Sequence, residues 1–565
     1  MVLANKVQMQ HKLFAALSDL FGREVPMYDK SLLVNSICNR TACELLGAMF
    51  DGFSLSDQEL ERTSGERHGA IRIGRPDEYR WVARFFAQFG MEPHNFYDMA
   101  NVGAKSQPII ATAFRSVENP DHRVFTSLLL TDYFDEKTKA RIEGLLSTRQ
   151  VFSEEAKALI EKAERQGGLD WADAEALIRE GIDRIFKWTG RAKDHGLYKE
   201  LCDAGFKIAA DIACFERHHL NHLTPNTLCM DLYTSAMKRC MGELDAKEFA
   251  VRATRALEEL SEDADHDWMH LHFKHIPGNQ IFAMHRRPAE AGLVERLVAK
   301  ISARLSERDT DLTVLKHSGF KDSTEGPSED TPVLLRQDAY KALTEAVVFT
   351  NPDGTQVSST HTARFGEIEQ RFYATTKKGR ELYDACLMKA EAEREQDPGL
   401  GKRDYAAAQA KYRAAFTPFP KCLSGLIEQG LVYARYVATP KGVAARGTIA
   451  THDLRELVRA GFARAEGLRY EDFLPVSAAG IFASNLNQYG TKTTAASRPV
   501  YTQSRLEEIM GKKIIDAEAV YRGMEAGSTL RMYADLGLLD TLPAGRRQEL
   551  ETLSGVATRA MSASA

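Results

Sequence analysis

Residues 361–371, with the sequence HTARFGEIEQR, constrain the fold of this chain more than any other segment. They follow Asn-Pro-Asp-Gly at 351–354, which has the chemistry of a tight turn, so residues 361–374 are predicted to form one long strand. Alternate residues of a strand share a face, so Glu367 and Glu369 point the same way. Because charged side chains rarely lie fully buried, this pattern alone favours a solvated edge strand. The alternative is a metal-binding carboxylate inside a barrel.

Two histidine-bearing segments could complete such a metal site. The first is ERHGAIR at 66–72, and the second is NHLTP at 221–225. Two neutral imidazoles and one carboxylate form a facial triad that leaves coordination positions open, which suits non-haem Fe(II) and oxygen chemistry. Such ligands come from separate strands, so their wide spacing in the sequence is no objection.

The first of these segments also carries a candidate for substrate binding. His68 and Arg72 would share one face of a strand, about 13 Å apart along it. With the Arg72 side chain folded back, the space between them would hold a short dicarboxylate, one end on a metal at His68 and the other on the guanidinium. Arginine suits this role because its planar fork matches a carboxylate. The alternative is a partly exposed histidine and a surface arginine.

Five segments taken together resemble a known family. In order along the chain they are ERHGAIR, NHLTP, PVLLRQ, HTARFGEIEQR and LPVSAAGIF. They resemble the motifs of the 2-oxoadipate dioxygenase/decarboxylase family, whose members are also called D-2-hydroxyglutarate synthases. The resemblance runs from about residue 12 to about residue 490, with one insertion. It implies an α+β fold with a curved, barrel-like core similar to the vicinal-oxygen-chelate superfamily, and large helical additions.

The resemblance also implies a reaction and a site. The reaction converts 2-oxoadipate and O2 to (R)-2-hydroxyglutarate and CO2, a step of lysine catabolism, with Fe(II) as cofactor. The implied site consists of the catalytic metal ligands His68, His222 and Glu367 and the substrate-binding residues Arg72, Val476 and Ser477. Arg72 would hold the far carboxylate of the substrate, and the turn at 476–477 would line the pocket.

Two choices within this site rest on the resemblance alone. Strand parity does not distinguish Glu367 from Glu369, and the first is preferred because it matches the metal-binding glutamate in the corresponding strand of other vicinal-oxygen-chelate dioxygenases. His218 and His222 would share a face of an extended segment. The NHLTP motif selects His222, which gives His218 a structural or supporting role.

Composition limits the other functions of the chain. Among 565 residues, 74 basic and 79 acidic side chains give a net charge of −5, which argues against a nucleic-acid-binding surface. The sequence contains no apolar run near the ~18 residues of a membrane span. It begins with no signal or transit pattern, and its eight cysteines have no CxxC spacing. These features predict a cytoplasmic protein with free thiols, and they say nothing about its oligomeric state.

The chain is predicted to have six parts. They are an N-terminal helical region (1–65), the first part of the metal-binding core (66–234), a helical histidine-rich insertion (235–310), the second part of the core (311–376), a substrate-lining helical region (377–490) and a helical extension (491–565). The insertion carries His266, His270, His272, His275 and His285. No set of two histidines and a carboxylate there matches the family pattern, so a lid or an oligomer contact is expected rather than a metal site.

Two other functions are compatible with these residues. One is a metal-dependent isomerase or lyase on the same fold, which would use Glu369 or His218 as a base and need no O2. The other is a non-catalytic protein with a structural metal. Oxygen consumption separates the first from a dioxygenase, and tight metal binding without turnover of any 2-oxo acid would indicate the second.

Overall fold

The computed structural model describes residues 2–100, 106–474 and 501–564. The strands are β1 (Arg67–Ile73), β2 (Glu92–Asp98), β3 (Ile109–Arg115), β4 (His122–Leu129), β5 (Arg191–Lys193), β6 (His222–Pro225), β7 (Phe320–Glu325), β8 (Leu335–Tyr340), β9 (Thr344–Thr350), β10 (Gln356–Thr362), β11 (Glu367–Arg371), β12 (Ala434–Ala438) and β13 (Ala463–Gly467). The helices are α1 (Lys6–Glu24), α2 (Pro26–Met49), α3 (Asp57–Ser64), α4 (Pro76–Ala87), α5 (Glu136–Ser147), α6 (Glu154–Gln166), α7 (Trp171–Glu180), α8 (His195–Asp203), α9 (Lys207–Cys214), α10 (Met230–Cys240), α11 (Ala246–Asp263), α12 (His266–His272), α13 (Gly278–Ile281), α14 (Leu293–Arg304), α15 (Lys377–Gln396), α16 (Leu400–Arg403), α17 (Tyr405–Ala415), α18 (Leu423–Glu428), α19 (Pro440–Ala444), α20 (Leu454–Arg459), α21 (Gln503–Met510), α22 (Ala517–Asp535) and α23 (Ala544–Ser564).

A five-stranded sheet with the order β2-β3-β4-β1-β6 forms the first half of the core. Strands β1 and β4 are parallel, and the other neighbours are antiparallel. In this register His68 lies beside Arg123 on one side and beside Thr224 on the other. Register partners point to the same face of a sheet, so the three side chains line one surface.

The second half of the core is a three-stranded sheet with the order β11-β8-β7. It meets the first sheet edge to edge, because Asn226 and Glu369 form a bridge and the Thr227 amide donates to the Glu369 carbonyl at 2.8 Å. The two sheets therefore form one curved surface through β6 and β11. This curved sheet with helices around it confirms the predicted α+β fold with large helical additions.

The prediction of one long strand over residues 361–374 is wrong. Residues 356–362 belong to β10 in a separate sheet with the order β10-β9-β5, while β11 begins at Glu367. Arg364 fixes the break between them, because its buried guanidinium pairs with Glu345 at 2.6 Å and with Glu24 at 2.6 Å. Gly366 is required there, since a Cβ would lie 2.2 Å from the ring of Tyr340.

The interpretation of this segment as a solvated edge strand is also wrong. The relative exposure of Glu367 is 4% and that of Glu369 is 1%. Both carboxylates therefore need buried partners, which the facing strands supply.

Helices surround this core. The predicted N-terminal helices are present as α1, α2 and α3, and their apolar faces are buried. Helices α11, α12 and α14 form much of the predicted insertion, and the six-part division of the chain stays a prediction. Within the described ranges, no helix is both long and apolar enough to cross a lipid bilayer. All eight cysteines are unpaired thiols.

Candidate metal centre

The three predicted metal ligands meet inside the curved core. His68 comes from β1, His222 is the first residue of β6, and Glu367 is the first residue of β11. Their ligand atoms lie within 4.8 Å of one another, and all three side chains are buried. The Glu367 Oε2 atom is 3.2 Å from His68 Nε2 and 3.6 Å from His222 Nε2. Residues 299 positions apart in the sequence thus form one cluster.

The electrostatics of this cluster suit a divalent cation. Burial lowers the pKa of His222 to about 4, so its imidazole is neutral at pH 7. Burial raises the pKa of Glu367, but the imidazoles of His222 and His68 more than offset this, and the pKa lies below its usual value. Neutral imidazoles and an ionised carboxylate are the forms that bind metals.

The hydrogen bonds of Glu367 leave a donor atom for a metal. Thr224 Oγ1 donates to Glu367 Oε2 at 3.1 Å. The other carboxylate oxygen, Oε1, is buried and accepts no hydrogen bond from the described part of the chain. A buried carboxylate oxygen without a donor is costly, and coordination of a cation would satisfy it. Two imidazole nitrogens and one carboxylate therefore fit a non-haem metal.

Glu369 lies on the opposite side of the His68 ring. Its Oε2 is 2.9 Å from His68 Nδ1 and accepts a hydrogen bond from Arg123 Nη2 at 2.6 Å. Arg371 Nε donates to its Oε1 at 2.8 Å. These two guanidiniums outweigh burial and hold the pKa of Glu369 well below its usual range. A carboxylate beside the second nitrogen of a ligating imidazole fixes the ring orientation, so Glu367 is the carboxylate grouped with the two imidazoles.

Gln337 faces the same centre and was not predicted from the sequence. Its side-chain Nε2 is 3.3 Å from His68 Nε2 and 3.5 Å from Glu369 Oε2. It lies opposite Glu369 in the register of β8 and β11, and therefore on the same face. The PVLLRQ motif, which ends at Gln337, drew attention to this strand. The face to which the Gln337 side chain points depends on the pairing of β8 with β11, which the sequence does not give.

Aromatic rings pack around the two histidines. Phe473 meets the His68 ring edge to face at 5.0 Å between centroids, and Phe365 stacks on His222 at 5.2 Å. Phe125 contacts Phe473 at 5.4 Å. These rings exclude water and lower the local dielectric, which strengthens the electrostatic interactions of the cluster.

Arg72 shares a face of β1 with His68, as predicted, and it is buried and not at the surface, with a relative exposure of 3%. Its Nη1 donates to Asp211 Oδ2 at 2.6 Å. Asp211 Oδ1 lies 3.2 Å from His219 Nε2 and 3.0 Å from His361 Nε2. The His219 imidazole and the Arg72 guanidinium outweigh burial and hold the pKa of Asp211 well below its usual range. Asp211 was missed, although it is the single acid of the apolar helix α9.

His218 and the histidines of the predicted insertion lie apart from this cluster. Val476 and Ser477 lie outside the described residues. His218 is buried 3.4 Å from Glu78, where it supports the fold. In the insertion, His272 stacks on Trp268 at 4.0 Å. Over the described ranges, His68, His222 and Glu367 form the one set of three potential metal-ligating side chains with ligand atoms this close together.

The sequence matches a family model described as 2-oxoadipate dioxygenase/decarboxylase over residues 13–250 and 296–485. A protein of that name from Pseudomonas putida is 34% identical over 534 residues, which cover 91% of this chain and 94% of the relative. A second protein of that name, from Escherichia coli, is 31% identical over 542 residues, covering 94% of this chain and 99% of the relative. The gap between the two matched ranges, residues 251–295, lies within the predicted insertion.

A solved structure is also similar over nearly the whole chain. It is the hydroxyglutarate synthase from Pseudomonas putida in complex with 2-oxoadipate, with a TM-score of 0.65 and 30% identity. The similarity covers 95% of this chain and 99% of that structure. The likeness in fold and the likeness in sequence therefore point to the same family.

Proposed function

The chain belongs to the 2-oxoadipate dioxygenase/decarboxylase family, and we propose that it converts 2-oxoadipate and O2 to 2-hydroxyglutarate and CO2 with Fe(II). The reaction balances, because both oxygen atoms of O2 enter the shortened acid, one in the carboxylate formed at the former oxo carbon and one in the new hydroxyl group, while the original 1-carboxylate leaves as CO2. The family also suggests the R form of the product. Membership of this family makes the chain a dioxygenase/decarboxylase. We propose in addition that Fe(II) is the metal, that O2 is the oxidant and that the product has the R configuration.

One observation carries this proposal. His68, His222 and Glu367 bring two imidazole nitrogens and one carboxylate to a buried point, and Glu367 Oε1 has no hydrogen bond from the described residues. When bound there, Fe(II) would supply the activation of O2 and the chelation of a 2-oxo acid. The protein's own residues position the ligands: Glu369 orients His68, and Thr224 orients Glu367.

The other residues around the three candidate ligands bind and enclose the substrate in this proposal. Arg72 contacts a carboxylate of the substrate from the same strand face as His68, while Asp211 holds its guanidinium in place. The resemblance implies a substrate-binding role for Val476 and Ser477 as well. Phe473 and Phe365 keep water from the reacting groups. Excluding water matters because it prevents side reactions during oxygen chemistry.

Oxygen uptake tests this proposal. The protein is reconstituted with Fe(II) under anaerobic conditions, 2-oxoadipate is added, and O2 consumption, CO2 and 2-hydroxyglutarate are measured. We expect one molecule of each product per O2, and no uptake by Glu367→Ala. Turnover without O2 would indicate an isomerase or lyase instead. Tight metal binding without turnover of any 2-oxo acid would indicate a structural metal.

A further inference from the structure

A cavity of about 500 Å³ lies behind the strand that carries the two glutamates of the metal centre. Gln370, which lines this cavity, alternates with Glu367 and Glu369 along β11 and so points to the opposite face of the strand. Its register partner on β8, Arg336, lines the cavity as well. The cavity and the metal centre therefore lie on opposite faces of the same sheet.

One wall of the cavity is acidic and lacks counter-charges. Of the eight carboxylates that line the cavity, four pair with an arginine or a lysine. The other four have no ion pair with any residue that the structure describes, and we call them the acidic wall: Glu262, Asp263, Asp265 and Asp267. They lie at the end of α11, at the start of α12 and in the short connection between these helices. This part of the chain falls within the gap of the family model, at residues 251–295.

The carboxylates of the acidic wall disfavour one another's charge. Burial and the neighbouring carboxylate of Asp265 raise the pKa of Asp267 to about 6. Burial, Glu259 and Asp330 raise the pKa of Asp263. A cation bound between these groups would favour their ionised forms.

A buried hydroxyl without a hydrogen bond also lines the cavity. Tyr373 has a relative exposure of 4%, and its hydroxyl has no hydrogen-bond partner among the described residues. Burial and the carboxylates of Asp267 and Asp265 raise the pKa of Tyr373, so the hydroxyl lies within electrostatic reach of the acidic wall. Buried polar groups are rarely left unpaired, and an ammonium group could donate to this oxygen.

The cavity suits an extended organic cation better than a metal ion. A metal ion needs several ligand atoms at one point. Over the described ranges, the one set of three ligating side chains with ligand atoms within 4.8 Å of one another is at the metal centre, so the carboxylates of the acidic wall do not converge. Trp268 and Phe372 add aromatic surface to the cavity, on which a methylene chain or an ammonium group can pack.

We propose that this cavity binds an aliphatic diamine or polyamine, whose ammonium groups pair with Asp263 and Asp267 and donate to the Tyr373 hydroxyl. The carboxylates of this site belong to the predicted insertion. The inference does not rest on the proposed reaction, because the site lies on the opposite face of β11 from the three candidate metal ligands.

Calorimetric titration of the full-length protein, without any 2-oxo acid, tests the proposal. The probes are spermidine, 1,4-diaminobutane and butylamine, which carry three, two and one ammonium groups. The spermidine titration is repeated with Mg²⁺ present at the same concentration. The variants are Asp263→Asn, Asp267→Asn and Tyr373→Phe, and circular dichroism verifies that each is folded. Glu258→Gln is the matched control, because it removes an exposed carboxylate of α11 that does not line the cavity.

We expect spermidine to bind with a dissociation constant below about 1 mM, more tightly than 1,4-diaminobutane, and butylamine to show no measurable binding. Asp263→Asn and Asp267→Asn should each weaken spermidine binding by about 5- to 20-fold, since each removes one charge partner. Tyr373→Phe should weaken it by about 3- to 10-fold through the loss of one hydrogen bond. Glu258→Gln and the added Mg²⁺ should leave the affinity unchanged within about twofold.

Three results would overturn the inference. The first is a wild type that does not bind spermidine. The second is an equal loss of affinity in Glu258→Gln and in both aspartate variants, since spermidine would then respond only to the overall charge of the protein. The third is displacement of spermidine by an equal concentration of Mg²⁺, which would indicate a metal site instead. The two aspartate variants are independent, so the failure of one to fold leaves the other to decide.

Discussion

A glutamate lies on each side of the His68 ring, but the two glutamates have different charged neighbours. On the Nε2 side, Glu367 faces a second imidazole and the hydroxyl of Thr224. On the Nδ1 side, Glu369 faces the guanidiniums of Arg123 and Arg371. Two glutamates on one strand face therefore differ only in what the neighbouring strands place opposite them.

This difference explains why one glutamate suits a metal and the other does not. A buried carboxylate needs a compensating positive charge. Glu369 has two permanent cations and requires no further one. Glu367 faces two imidazoles and a hydroxyl and no guanidinium or ammonium among the described residues, so a divalent cation is the partner that would balance it. The comparison predicts different consequences for changes on the two sides.

The largest effect is expected for a ligand on the Nε2 side. His222→Ala removes one of three donors, so we expect metal binding to be abolished while the protein stays folded. Metal content after reconstitution and circular dichroism measure the two properties. His218→Ala is the control, since His218 is equally buried but pairs with Glu78. Full metal content in His222→Ala would remove that residue from the centre.

On the Nδ1 side, the main expected effect of Glu369→Gln is a loss of stability. It leaves Arg123 and Arg371 facing a neutral amide, which should lower the free energy of unfolding by about 3–5 kcal/mol. Chemical denaturation of the metal-free protein measures this. Glu345→Gln is the comparison, because its partner Arg364 keeps Glu24. An unchanged stability in Glu369→Gln would show that the two arginines do not depend on this carboxylate.

A smaller effect is expected on the pH dependence of stability, which should differ between the surroundings of Arg72 and those of Arg123. Asp211, the partner of Arg72, has two imidazoles and one guanidinium beside it, whereas Glu369 has one imidazole and two guanidiniums, which do not titrate near neutrality. Burial lowers the pKa of His361 below its usual 6.5. Below about pH 6.5 the unfolded chain therefore binds a proton that the folded chain does not, and stability falls as the pH falls.

His361→Gln should remove this contribution, which is at most about 1.4 kcal/mol per pH unit. Denaturation curves at about pH 7 and about pH 5.5 are compared for wild type and variant, on either side of the usual histidine pKa of about 6.5. We expect a shallower pH dependence in the variant. A steeper one would mean that His361 gains a proton on folding.

The smallest effect on stability is expected for Lys274, which lies farther from His68 on the same side as Glu369. Lys274 comes from the insertion and pairs with Asp121 at 2.7 Å and Glu66 at 3.0 Å. Glu66 in turn lies 3.5 Å from Arg371. Because Lys274 is partly exposed, Lys274→Met should cost about 1 kcal/mol of stability.

Metal affinity in Lys274→Met should be unchanged within about twofold, since several charged residues separate Lys274 from His68. Lys300→Met is the control, because its pair with Glu44 is exposed and should contribute little. A large loss of metal affinity in Lys274→Met would show that the insertion acts directly on the centre.

The residues of the site that lie within short motifs could be predicted from the sequence. The contacts that depend on strand pairing could not. The motifs identified His68, His222 and Glu367, and strand parity placed both glutamates on one face. The pairing of Glu369 with its neighbour Arg371 could be predicted from the sequence, but its pairing with Arg123 could not, because Arg123 is 246 positions away. The pairing of Arg72 with Asp211, 139 positions away, was invisible for the same reason.

The wrong strand prediction has a similar cause. The alternation from His361 to Arg371 is continuous in the sequence, but the chain changes sheets within it. Arg364 is anchored to Glu24, 340 positions away, and Gly366 packs on Tyr340. Local periodicity does not contain these contacts, so the break could not be predicted from it.

Metal titration of two matched variants tests the difference between the two sides most directly. Glu367→Gln and Glu369→Gln change the same residue type on the same strand face, and anaerobic calorimetry with Fe(II) measures the affinity of each. We predict no measurable binding to Glu367→Gln and binding weakened by about 10- to 100-fold in Glu369→Gln, because the second carboxylate only orients His68. Loss of binding in Glu369→Gln together with retention in Glu367→Gln would contradict the assignment of the two carboxylates.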